Sequence, residues 1–231
     1  MLGKGGRLLA LGAMLFMMPY GWGVAAADCD DNAKPGVNWE GCDKSRLILR
    51  GRDLTGANLE RSDLSKSDLS KATFVDAEMT RANLSRSLLD KSDLSGANLT
   101  KAQGDRASLV AVNLSGANLE KAELPRTDLS ESTLTDANLA KSDLGRTVLE
   151  DTDLTGVNFT YAIMARADLR GAKLEGADFT GAYLYLTRIE GVDLSSVTGL
   201  TAEQISIACG DGDTALPDGL PPPAEWKCGD N

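Results

Sequence analysis

From Leu49 to Leu194 an apolar residue stands at every fifth position. There are thirty such positions in one unbroken register, all Leu, Ile, Met or Phe except Gly104. Two residues before each, from Ala57 to Val192, sits a small or β-branched residue, mostly Ala or Ser. The residue between them is often Asp or Asn, as in Ala57-Asn58-Leu59, Ala97-Asn98-Leu99, Ala137-Asn138-Leu139 and Ala167-Asp168-Leu169. Neither a helical period nor strict strand alternation accommodates a period of five. A fixed short period means a stacked array.

Columns spaced by 20 residues show how many units close one turn. Gly-Ala-Asn-Leu occurs at 56–59, 96–99 and 116–119, and Gly156-Val157-Asn158-Phe159 and Gly176-Ala177-Asp178-Phe179 continue it. Asp76-Ala77-Glu78-Met79 and Asp136-Ala137-Asn138-Leu139 fill the gaps. Gly, Asn and Asp tolerate tight turns. One corner therefore repeats its turn chemistry every 20 residues, and four units make one coil.

The A-[DN]-L-x-x units resemble the pentapeptide-repeat family. The resemblance implies an all-β fold, a right-handed quadrilateral β-helix in which the central residue and the small residue two before it point inward. Thirty units would give about seven coils, and at the β-sheet spacing of about 4.8 Å a shaft roughly 35 Å long. It also implies a second functional reading, since some members are acidic rods that mimic DNA and bind DNA gyrase. Gly104 interrupts the Leu64, Leu84, Leu124, Leu144 column, which predicts a small void or a local bulge.

The segments flanking the array differ from it. Residues 1–27 read as a signal peptide: Lys4 and Arg7, the apolar run Leu8 to Met18, then Ala25-Ala26-Ala27. Cleavage is expected after Ala27, which places the chain in the periplasm or outside the cell. No other segment is apolar enough to span a bilayer. Residues 28–46 are expected to cap the N-terminal end, with Trp39 over the first coil. The repeat array occupies 47–197. Residues 198–231 form a C-terminal cap, with Thr201 and Gln204 as a capping box for a short helix from Ala202 to about Ala208. A Pro-rich tail follows.

Cys29 and Cys42 precede the array, and Cys209 and Cys228 follow it. In an oxidising compartment four cysteines imply disulfides, with three possible pairings. The array holds its ends apart, which favours Cys29–Cys42 with Cys209–Cys228. A zinc site fits poorly, because the spacings lack closely paired ligands.

The net charge is −10 and becomes −12 once Lys4 and Arg7 leave with the leader. Such a chain does not bind nucleic acid by bulk charge. Its cations are nevertheless ordered. Arg61, Arg81, Lys101, Lys121 and Lys141 form one column of period 20, and Lys66, Arg86, Arg106, Arg126, Arg146 and Arg166 form its neighbour. These eleven are half of the 22 cations left after Lys4 and Arg7, out of 24 in the whole chain. They are a candidate stripe for a protein or an anionic envelope polymer. Alternatively, they are a solvated ladder, with Asp63, Asp68, Glu123, Asp128, Asp143 and Asp168 near enough to neutralise much of it.

Both columns end at Tyr161 and Leu186, where Ile163, Tyr183 and Tyr185 are apolar too. This candidate contact patch either lies under the tail, against Leu216, Leu220 and Trp226, or mediates a partner contact or a homodimer through the C-terminal end. Catalysis is not expected. The chain has no His, which excludes a Ser-His-Asp set. Acid pairs such as Asp90 and Glu150 fall on surface columns, and a Leu-filled shaft offers no pocket. No cofactor or metal is expected. The composite reading is a non-enzymatic exported scaffold for macromolecular interaction in the cell envelope, or an envelope structural element without a specific ligand.

Overall fold

A computed structural model describes residues 27–228. The predicted signal peptide therefore lies almost wholly outside the described residues. The chain pairs with itself through single parallel bridges between residue n and residue n+20, from Asn38↔Asn58 to Asp178↔Thr198. Each coil thus takes 20 residues and has four faces. The core is continuous and consists of the central residues and the small residues two before them, nearly all of them fully buried.

One unit shows why this sequence makes this shape. Five consecutive N–H groups, Asp93 to Ala97, each find an acceptor. Asp93 donates to Ala72 O (3.0 Å) and Leu94 to Asn113 O (2.7 Å), joining the coils before and after. Gly96 donates to Ser115 O (3.0 Å), and Ala97 closes the turn onto Leu94 O (3.1 Å). The remaining N–H, of Ser95, donates to the side chain of Asp93 (Oδ1, 3.0 Å). Buried or half-buried peptide groups must be satisfied, and the Asp or Asn before the central Leu supplies the one acceptor the backbone lacks. The same bond recurs at Asp53 with Thr55 (3.0 Å), Asp153 with Thr155 (3.1 Å) and Asp193 with Ser195 (2.9 Å).

The second residue after each central position sits at positive φ, as in the third position of a type II turn. Gly56, Gly96 and Gly116 occupy it at 61°, 67° and 65°. Where Ser or Thr replaces the small Ala, its hydroxyl is satisfied by a carbonyl except at Ser92, whose buried Oγ has no partner among the described residues. Thr147 Oγ1 donates to Leu124 O (2.7 Å), and Ser62 Oγ donates to Leu59 O (2.8 Å).

The ladder begins earlier than the aliphatic register indicates. Trp39 and Lys44 occupy central positions of the first coil, and Asn38 and Asp43 already pair with the next coil. They escape a Leu/Ile/Met/Phe pattern because one is indole and the other a cation. Lys44 tolerates the site because its Nζ donates to Cys29 O (2.5 Å) and lies 4.0 Å over the Trp39 ring. Trp39 is part of the core and not a lid over it, with its indole N–H on Asp31 O (3.1 Å).

At the other end α1, Ala202–Ser206, is capped by Thr201 and Gln204 as the sequence predicts. Gln204 Nε2 also bonds Phe179 O (2.8 Å) and Ala182 O (2.9 Å), so the capping residue plugs the last coil. Ile205 and Ala208 are buried beneath it. The disulfides pair Cys29 with Cys42 and Cys209 with Cys228.

Gly104 produces no bulge. The bridges Asn83↔Gln103 and Gln103↔Glu123 hold the register through it. A Cβ placed on Gly104 would lie 2.7 Å from Leu124 Cδ2, so the neighbouring rung leans into the vacated volume. Leu124→Ala therefore opens two rungs and Leu144→Ala only one. Urea denaturation should show a loss of about 3 kcal/mol for Leu144→Ala and about 1 kcal/mol more for Leu124→Ala. Equal losses would contradict the shared filling.

The turn carboxylates also set the acid limit of the fold. Asp53 is held below the usual carboxylate range by the Thr55 N–H, and Asp153 and Asp193 by the hydroxyls of Thr155 and Ser195 together with their N–H groups. A carboxylate depressed in the folded state stabilises above its unfolded value, about 3.9 for Asp, and loses that contribution as pH falls through the folded value. The melting temperature should be nearly flat from pH 7 to about 5 and fall steeply below about 4. Replacing Asp53, Asp153 and Asp193 together by Asn keeps the acceptors but removes their titration. In thermal melts this should flatten the acid loss and change the pH 7 value little.

Candidate functional site

The two basic columns lie at two adjacent corners of the coil. All eleven of their members occupy the left-handed turn position, with φ between 55° and 60°. That conformation costs an L-residue about 1 kcal/mol and glycine nothing. One other corner relieves it, where Gly36, Gly56, Gly96, Gly116, Gly156 and Gly176 share a column, and the fourth mixes Gly51, Gly171 and Gly191 with Lys71, Lys91, Ala111, Glu131 and Asp151. Between the rails runs a face whose bridge ladder reads Asp63, Asn83, Gln103, Glu123, Asp143, Ile163, Tyr183.

The acids do not neutralise the rails in the expected way. Asp68 is engaged by Arg50 (2.8 Å), and Asp168 by Arg170 (2.7 Å) and Arg188 (3.3 Å). Asp63, Glu123, Asp128 and Asp143 enter no ion pair among the described residues. The reason is local: the Oδ1 atoms of Asp63, Asp128 and Asp143 face along their own turns, accepting the N–H of Ser65, Ser130 and Gly145. The acids that pair with the rails stand just before the left-handed position. Glu40 and Glu60 hold Arg61, Asp105 is shared by Arg106 (3.6 Å) and Arg126 (3.4 Å), and Glu120 by Lys121 (2.7 Å) and Lys141 (3.9 Å).

Glu120 is held below the usual carboxylate range, first by the Lys121 hydrogen bond and then by the charges of Lys121, Lys141 and Lys101. Lys66, Arg81, Arg86, Lys101, Arg146 and Arg166 form no ion pair among the described residues. A shallow open groove lies among Arg81, Lys101, Lys121, Gln103 and Glu123.

The apolar patch is the C-terminal continuation of this same face. Ile163 pairs with Tyr183 across the coils, and Tyr183 stacks on Tyr185 with ring centroids 6.2 Å apart and planes at 11°. The Tyr161 ring lies over Gly181, where an added Cβ would come within 2.5 Å of it. Tyr161, Ile163, Tyr183 and Tyr185 are 59%, 46%, 49% and 43% exposed, so the tail does not cover them. The tail is held elsewhere. Cys209 pairs with Arg188 and Ala215 with Asp193, on two other faces, and Lys227 N–H donates to Ala208 O (3.3 Å). Trp226 packs against Gly210.

Metal ligation has little to work with. Glu190, Cys209 and Cys228 bring their ligand atoms within 4.8 Å of one another, but both sulfurs are bonded to each other. One carboxylate remains, short of a closed site. The abundant hydroxyls and carboxylates are engaged in turns. Among the described residues no helix is long and apolar enough to cross a membrane.

Comparisons with other proteins agree with this geometry. HetL, a pentapeptide repeat protein involved in heterocyst differentiation regulation from the cyanobacterium Nostoc sp. strain PCC 7120, is 28% identical. The match covers 80% of this chain and 91% of that chain, with a TM-score of 0.53. A trypsin-treated form of QnrB1, a plasmid-mediated fluoroquinolone resistance protein, is 17% identical and covers 81% of this chain and 93% of that chain at a TM-score of 0.71. At that identity the likeness concerns the fold alone. No curated protein matches by sequence. Residues 49–80, 77–103, 107–146, 132–165 and 162–198 match the family of pentapeptide repeats (8 copies). With the register, the coil and the neighbours in agreement, the chain belongs to the pentapeptide-repeat family, whose fold is the right-handed β-helix.

Proposed function

We propose that this chain is a non-enzymatic, exported scaffold whose basic-railed face binds a protein or an anionic polymer of the cell envelope. The shaft of about seven coils acts as a rigid ruler. One observation carries the reading: eleven cations occupy left-handed positions on two adjacent corners, although glycine would relieve the strain there. Strain retained at a surface points to a use for the side chains. Like charges stacked every ~4.8 Å also repel, by about 1 kcal/mol per pair in water. Six of the eleven have no acid to offset this among the described residues. The tyrosine patch at the end of the same face adds rigid, amphipathic contact area.

A second reading, a DNA-mimicking rod that binds DNA gyrase, draws on the family and on the net charge of −10. The basic face opposes it, because a mimic must present acid where DNA presents phosphate. The four cysteines, both pairs joined, suit an oxidising compartment and not a cytoplasmic target. A reporter fusion active only in the periplasm would remove this reading, and an uncleaved cytoplasmic protein would restore it.

The decisive experiment replaces Arg86, Arg106, Arg126 and Arg146 by Gly in one variant and by Ser in another. The Gly variant should gain about 1 kcal/mol per site in urea denaturation, because the turn strain is relieved. Both variants should lose capture of anionic material from envelope extracts. Undiminished capture by both variants would overturn the anion-binding face.

A further inference from the structure

The two ends of the shaft are closed unequally. At the C-terminal end the faces of Arg188 and Asp193 receive Cys209 and Ala215 as additional bridge partners, and α1 lies across the core. At the N-terminal end residues 28–35 cover only part of the first coil. Asp28 N–H donates to Asn38 O (3.0 Å), the Trp39 indole to Asp31 O (3.1 Å) and Lys44 Nζ to Cys29 O (2.5 Å). Past Lys44 that cover makes no further bond.

The next face, at Ile48, is an open edge that ends at the turn Arg52 N–H closes on Leu49 O (3.1 Å). In later coils the residue aligned with Ile48 donates backward and accepts from the preceding coil. Leu88 N–H donates to Ser67 O (3.0 Å), and Leu88 O accepts from Leu69 N–H (2.7 Å). The N–H and C=O of Ile48, and those of Asp53, have no partner among the described residues. Ile48 is 81% exposed and Leu47 38%. Beneath them Leu49 retains 8% exposure, against 0% for Leu69 and Leu89 in the same column.

Natural edges are blunted by charged side chains, Pro, bulges or a covering segment. Asp43 and Asp53 supply charge on the neighbouring faces, whereas this face presents isoleucine. Arg46, Arg50 and Arg52 surround it. Arg50 is held by Asp68 (2.8 Å), while Arg46 and Arg52 form no ion pair among the described residues.

We propose that the open edge at Ile48 binds an extended acidic segment of a partner protein by strand addition. The backbone of that segment would take up the free N–H and C=O of Ile48, an apolar side chain would cover Ile48, and its acids would face Arg46 and Arg52. A second copy is the wrong occupant. Two such edges laid together would oppose arginine to arginine, and like charges directly opposite destabilise a pair. Arg46 stands one coil before Lys66 in the same corner column, so the edge adjoins the basic-railed face, but none of the residues replaced in the Ser variant of that face lies in this edge.

The test is fluorescence anisotropy of the full chain with a labelled seven-residue peptide alternating valine with glutamate or aspartate. Two controls are used: the same peptide with lysine for each acid, and the same peptide with N-methylated backbone amides. The acidic peptide should bind, with each control weaker by about tenfold, the equivalent of one lost hydrogen bond or charge contact. Arg46→Glu with Arg52→Glu should reverse the preference to the lysine peptide, and Ile48→Gly should weaken both peptides. The Ser variant of the basic face should bind the acidic peptide unchanged. Equal binding of the N-methylated peptide, a charge preference unmoved by the Arg-to-Glu pair, or no binding at all would overturn strand addition at this edge.

Discussion

The fold leans on one recurring side-chain hydrogen bond: an Asp or Asn before the central residue, present in more than half of the units, accepting the N–H two residues on. A square coil of five-residue sides turns too often for its backbone to satisfy itself. Four of five N–H groups in a unit reach carbonyls, and the fifth, at the first turn position, has none in reach. Asp93 with Ser95 shows the remedy (3.0 Å), and Asn113 with Ser115 the neutral version (3.1 Å). Units with that Asp or Asn therefore carry their own acceptor, and those carboxylates are engaged by the turn; units such as those of Leu89, Leu149 and Met164 have an apolar residue there instead.

The second constraint is the left-handed residue that follows. It makes every corner a place where glycine is favoured and any side chain is projected into solvent. Of the other two corners, one yields to that constraint with Gly and Asp, and the second with a mixture that includes Lys71 and Lys91. On two adjacent corners it does not, and the result is a continuous face bordered by cations and ending in tyrosines. Exposed pairs on this face are weak, so its charge remains largely available to a partner. The proposed function thus rests on a departure from what the backbone prefers.

Much of this was legible along the chain. The five-residue register, the 20-residue coil and the capping box at Thr201 and Gln204 follow from spacing, and the array that holds its ends apart favours the disulfide pairing that the structure has. The patterns that hid the first coil were chemical: Trp39 and Lys44 are core residues only because Asp31, Cys29 and each other satisfy their polar groups. The adaptation at Gly104 was also hidden, since a leucine one coil away fills the space. So was the pairing of the rails. Proximity in a column suggested Asp63 and Asp143 as partners, but their oxygens already serve the turn.

The sequence by itself determined the period, the inward residues and the order of side chains on each corner, because a strict repeat maps linear position onto angular position. The tertiary structure decided which of those side chains are free. It left the tyrosines bare, because the disulfide and Trp226 hold the tail against other faces. It also left the Ile48 edge open. Ends and free charges are set by contacts between segments far apart in the chain, and a five-residue pattern carries no information about those.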